Sequence, residues 1–182
     1  LKKLSFMLTL LLFSVVVLVG CQDETSATPP NMPENMPSDF NFSIQFGIQK
    51  KNEINTFKGT VTKDLVVDGT TTTKLILTEE EMKDIYEKMK EININETKVF
   101  TPKSLSGNVC TLFGKRCTLE PYGEDEWEIS INGETITHYI SGEYCEPTND
   151  AKQLLELRNY VFNIVKSKDE YKSLPEPNGG YD

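Results

Sequence analysis

Nucleophilic chemistry in this chain would have to start at His138, its one histidine. An imidazole base needs a serine or cysteine to activate and an acid to orient it. Ser130, Ser141 and Cys145 lie near it in sequence, and Asp125 and Glu143 could supply the acid. The hairpin derived below, however, places Ser130 on the face opposite His138 and sets His138 across from Trp127, so His138 reads as a residue packed into a sheet. Glycoside cleavage would need two carboxylates flanking a cleft at roughly 5–9.5 Å. With 28 acidic residues in the chain, no one pair is marked out. The cluster Glu120, Glu124, Asp125, Glu126 and Glu128 offers a patch for a cation or a basic partner. It lacks the spaced oxygen ligands and tight glycine turn of a calcium loop. Neither a P-loop nor a G-x-G-x-x-G fingerprint occurs. No catalytic, cofactor-binding or metal-ligating residue is therefore assigned, and the balance falls toward a protein that is not an enzyme.

Cys21 has a different setting. Lys2 and Lys3 precede an apolar run from Leu4 to Val19, interrupted only by Ser5, Thr9 and Ser14, which ends in Leu18-Val19-Gly20-Cys21. A positive start, an apolar core and a small-residue exit describe an export signal. The run is also close to the length of a membrane span, so a retained anchor and ordinary secretion are its rivals. The final four residues resemble the bacterial lipobox. That resemblance implies cleavage after Gly20 and lipidation of Cys21 on its sulfur, with palmitate-type acyl chains. Two or more such chains anchor a protein stably. The expected location is the extracytoplasmic face of the cell membrane, with the membrane itself as a partner through Cys21.

Cys110, Cys117 and Cys145 remain. In an oxidising compartment a disulfide is expected. Three cysteines allow three pairings, and sequence proximity favours Cys110–Cys117 around Gly114-Lys115-Arg116. The spacings Cys-x6-Cys and Cys-x27-Cys match no compact zinc site.

The elements that must position these groups follow from periodicity. Residues 22–40 hold Pro29, Pro30, Pro33 and Pro37 among small polar residues, the composition of a flexible tether. Phe42, Ile44, Phe46 and Ile48 alternate with polar residues and predict a half-buried strand. Lys50-Lys51-Asn52-Glu53 reads as a turn, and residues 54–61 as a weaker strand with Phe57 and Val61 inward. Leu65-Val66-Val67 leads into the turn dipeptide Asp68-Gly69, and residues 70–77 form a β-branched strand. Thr78 and Glu81 make a capping box for a helix whose buried stripe is Met82, Ile85, Tyr86, Met89 and Ile92. Residues 93–109 are loop-like.

Trp127, Ile129 and Ile131 alternate before Asn132-Gly133, and Ile136, His138 and Ile140 after it. A two-residue type I′ turn pairs Ile131 with Glu134, Ile129 with Ile136, and Trp127 with His138. A last helix is expected from Asp150 as cap to about Lys168. Its stripe is Leu154, Leu157, Val161 and Ile164, with Leu155, Phe162 and Val165 at the margins. Residues 171–182 read as a loose or surface-laid tail.

The expectation is an α+β domain, an antiparallel sheet with two amphipathic helices packed on one face; an elaborated β-sandwich accommodates two such helices poorly. The divisions are a signal peptide (1–20), a lipidated cysteine and tether (21–40), one domain (41–170) and a tail (171–182). A net charge of −9 argues against nucleic acid as a partner. The chain resembles the small uncharacterised lipoproteins of Gram-positive bacteria, most closely in Thr62-Lys63-Asp64, in Leu77-Thr78 with Glu80-Glu81, and in Ile85-Tyr86 with Met89. That resemblance implies location and fold and attaches no activity. The function expected is a tethered, non-catalytic binding or accessory domain for an envelope protein or small ligand. The alternatives are a cell-envelope hydrolase and an envelope spacer protein.

Overall fold

Alternation decides the first strand. In a computed structural model, which describes residues 32–100, 110–112, 115–117, 123–140 and 147–181, β1 (Asn41–Gly47) buries Phe42, Ile44 and Phe46. It ends where Gly47 takes a φ of 87°, and a short 3-10 turn (Ile48–Lys50) follows. The close approach of the backbone at this point demands glycine at 123 as well, where a Cβ would lie 2.4 Å from the Gly47 Cα.

The weaker strand expected over 54–61 is instead a hairpin of β2 (Asn52–Asn55) and β3 (Thr60–Asp64). Turn chemistry explains the difference. The Asn55 Oδ1 accepts a bond from the Lys58 amide at 2.9 Å, and Gly59 supplies a φ of 61°, both turn-forming devices. Phe57, expected inward, sits on this turn 45% exposed. Asp68-Gly69 turns the chain as expected into β4 (Thr70–Lys74).

A separate two-stranded ribbon, β5 (Cys110–Leu112) and β6 (Lys115–Cys117), precedes the long hairpin of β7 (Glu124–Ile131) and β8 (Glu134–Ile140). The β7–β8 register is the one the turn requires, with Ile131 facing Glu134, Ile129 facing Ile136 and Trp127 facing His138. Asn132 and Gly133 both have positive φ, 53° and 77°, as a type I′ turn demands, and Asp39 accepts bonds from both of their amides. The main sheet is six-stranded and antiparallel throughout, in the order β4-β3-β2-β1-β7-β8.

Helix α1 (Glu79–Glu91) carries the full capping box, with the Thr78 side chain accepting from the Glu81 amide and the Glu81 carboxylate accepting from the Thr78 amide. Helix α2 (Asn149–Ser167) is capped by Thr148 rather than Asp150. Asp150 is used elsewhere, accepting from the Val99 amide at 2.7 Å. The buried stripe of α2 is Ala151, Leu154, Leu157, Val161 and Val165, with Ile164 only half-buried. Lys168 is extended and breaks the helix. A third, short helix, α3 (Asp169–Lys172), then restarts the coil and buries Tyr171 edge-on to Phe162. The fold is therefore α+β with three helices beside the sheet, where two were expected. Their apolar side chains and those of β1, β2, β3 and β7 form one core.

Two terminal segments join that core. Met32 and Phe40 are buried, Phe40 packs edge-on to Tyr86, and the Tyr86 hydroxyl donates to the Pro33 carbonyl at 2.7 Å. Packing thus reaches back into the stretch assigned by composition to the tether, because two apolar anchors outweigh the surrounding prolines. The expected tail joins the core through Tyr171 and Leu174, and only its end is laid on the surface, where Val66 bridges Asn178 and the Tyr181 hydroxyl donates to Asp64.

The cysteine expectation is corrected. The backbones of Cys110 and Cys117 face each other across the β5–β6 ribbon, but no disulfide is present among the described residues. Facing backbones satisfy only part of a disulfide's demanding geometry. Among the described residues no helix is long and apolar enough to cross a membrane. Residues 1–20, Cys21, Glu120, Ser141, Glu143 and Cys145 lie outside the described residues.

Candidate functional site

Because strand side chains alternate, the five registers sort the sheet into two surfaces. One core row runs Thr73, Val61, Ile54, Ile44, Trp127, His138 across β4, β3, β2, β1, β7 and β8. The opposite surface is polar. One of its rows runs Thr72, Thr62, Glu53, Gln45, Glu126, Tyr139, and the next runs Lys74, Thr60, Asn55, Ser43, Glu128, Thr137.

At the centre of the polar surface is a concavity of about 360 Å³, floored by Ser43, Gln45, Glu53, Asn55, Glu126 and Glu128. Phe57 and Lys58, from the β2–β3 turn, complete its lining. The floor is held in place by its own bonds. The Asn55 amide donates to Glu53 at 2.9 Å while its oxygen holds the turn through Lys58, so this 5% exposed side chain is fixed from both ends. Ser43 is 8% exposed and lines the same space.

Charge in the concavity is partly balanced. Lys58 lies 3.7 Å from Glu53, and Lys50 pairs with Glu126. The hydrogen bond to Glu126 raises the Lys50 pKa, against a smaller opposing effect of desolvation. At the margin the Tyr139 hydroxyl donates to Glu124 at 3.1 Å. Burial, reinforced by that bond, raises the tyrosine's pKa.

The acidic cluster expected from sequence is divided by the strand that carries it. Glu124, Glu126 and Glu128 alternate on β7 with Asp125, which is in phase with Trp127 and fully buried. The Arg158 Nε comes within 3.2 Å of Asp125, yet the pair is not aligned as a hydrogen bond. Among the described residues, both Asp125 carboxylate oxygens, the Arg158 Nε and the Trp127 indole nitrogen have no hydrogen-bond partner. Desolvation pushes the Asp125 pKa up to about 6, with the Arg158 charge pulling the other way. Among the described residues no three carboxylate, imidazole or thiol groups gather as a metal site.

His138 is a core residue. Its Nε2 bonds the Ile94 carbonyl and its ring meets Phe100 edge-on at 5.3 Å. Burial lowers its pKa, outweighing the effect of that bond. Ser130 faces Thr135 on the other surface, so the two do not meet.

Of the floor of the concavity, only Glu126 and Glu128 were singled out from sequence, as members of the acidic cluster. A signal for the floor was also present in Ser43 and Gln45, the outward residues between Phe42, Ile44 and Phe46. Phe57 was hidden by the unrecognised turn. In comparisons with known protein families and with curated proteins, the chain matches none.

Proposed function

We propose that the chain is a membrane-tethered, extracytoplasmic binding domain, non-catalytic, whose ligand surface is the polar face of β1, β2 and β7. One observation carries this reading: the concavity at the centre of the sheet, with a polar floor and an exposed aromatic beside it. A solvated face is ordinary for an antiparallel sheet. A concave one of about 360 Å³ falls within the size of small-molecule sites, roughly 300–1,000 Å³. Helices α1 and α2 are read as covering the opposite face, where Phe46 meets Phe162 and Arg158 approaches Asp125. That arrangement leaves this face for a partner. The tether rests on Leu18-Val19-Gly20-Cys21 and its likeness to the lipobox. Two of the residues that a hydrolytic reading would use, His138 and Asp125, are buried.

Carboxyl footprinting tests the surface. The lipidated protein is labelled with a carbodiimide and an amine in intact cells and again after purification. Glu53, Glu126 and Glu128 should be protected in cells, while the exposed Glu156 and Glu170 label equally in both. Equal labelling of all five would contradict the assignment.

A further inference from the structure

We infer that the concavity takes an uncharged saccharide chain, an inference that rests on the binding reading above. Its floor mixes groups that only accept with groups that also donate. Across β2, β1 and β7 one row presents carboxylate, amide and carboxylate (Glu53, Gln45, Glu126), and the next presents amide, hydroxyl and carboxylate (Asn55, Ser43, Glu128). Neighbouring strands stand about 5 Å apart and successive same-face residues about 7 Å. The result is a lattice of hydrogen-bonding groups on the scale of a sugar ring. Hydroxyls donate and accept, as the side chains of Gln45, Asn55 and Ser43 do.

Ser43, 8% exposed, lines the same floor and offers its hydroxyl to an occupant. Phe57, 45% exposed beside this floor, offers an aromatic surface to the C–H face of a pyranose ring. A saccharide has both an apolar face and a hydroxyl edge, and the site has both complements.

Other occupants fit less well. An apolar ligand would strand the floor's polar groups without partners, which is costly. A polycation would find Glu53 and Glu126 already engaged by Lys58 and Lys50 and would meet those lysines at the margin. A polyanion would meet Glu53, Glu126 and Glu128.

The test uses the detergent-solubilised full chain with chitotetraose and cellotetraose as neutral probes and tetralysine as the cationic one. Binding is followed by titration calorimetry and amide chemical shifts. At least one tetrasaccharide should shift amides of β1, β2 and β7, and Phe57→Ala and Gln45→Ala should each weaken it about tenfold. Unchanged melting of both variants keeps the comparison free of unfolding, and Glu156→Ala serves as the neutral control. The inference is overturned if neither tetrasaccharide shifts those amides, or if binding survives both substitutions undiminished. Tighter binding of tetralysine at the same amides would also overturn it while leaving the binding face intact. Failure of the face itself shows separately, as equal footprinting in cells and in the purified state.

Discussion

Asp125 is the residue at which the environment works hardest against the charged form. It is fully buried, and desolvation dominates the single cation that approaches it. Its folded pKa of about 6 stands above the ordinary 3.8, so the folded state holds its proton over a range where the unfolded state has released it. The stability this confers is fully present below about pH 4 and is lost as pH rises through about 6. The difference corresponds to about 3 kcal/mol, as an order of magnitude.

His138 has the opposite sign. Its lowered pKa gives stability that is present above 6.5 and lost as pH falls through the folded value. Urea unfolding of wild type and Asp125→Asn at pH 4, 5, 6 and 7 separates the two. The variant should lose the decline in stability between pH 4 and 7 that Asp125 causes, leaving the rise due to His138. An unchanged pH slope in the variant would refute the burial account. The inward position of Asp125 was legible, since it is in phase with Trp127 and Ile129. Reading the five acids as one patch ignored that phase.

At the scale of the element, the best-read parts were those whose signals are local. Thr78 and Glu81 are three residues apart and specify the start of α1 by themselves. Asn132-Gly133 sets a turn type, and the turn type fixes seven register pairs of β7 and β8. The Thr56–Gly59 turn was missed because its signal is weaker: an asparagine side chain and one glycine inside a stretch that also holds Ile54, Phe57 and Val61. The cap of α2 was misplaced for a tertiary reason, because the Asp150 carboxylate serves the Val99 amide in a neighbouring segment.

Thr78→Ala should cost about 1 kcal/mol through the lost cap, read as a lower urea midpoint at unchanged slope. Glu81 is also joined to Lys168, at 2.6 Å, and the desolvation it suffers is outweighed by that cation and by the Thr78 bonds, which hold its pKa down. Glu81→Gln should therefore lower stability as well, most visibly at neutral pH, where the carboxylate is charged. A Thr78→Ala midpoint equal to wild type would show that the capping box contributes nothing.

For the whole molecule, two kinds of information were unequally readable. The proposed anchor rests on consecutive residues, Leu18 to Cys21, whose likeness to the lipobox is a matter of sequence and needs no fold. The concavity is assembled from Ser43, Asn55 and Glu128, which are far apart in sequence and become neighbours only through the β1–β2 and β1–β7 registers. The strand order β4-β3-β2-β1-β7-β8 places the first hairpin strands beside the last ones across an intervening helix and ribbon, and no local pattern announces that pairing.

The central claim is that a tethered domain presents this one face to its ligand. Its most direct measurement is photo-crosslinking in cells from a diazirine-bearing residue at Gln45, with the same group at Glu156 as reference and Cys21→Ala as the location control. Adducts from position 45, absent from 156 and lost with release of the protein from the membrane fraction in Cys21→Ala, are the predicted result. Adducts of equal yield from both positions, or none from position 45 in the membrane-held protein, would contradict the account.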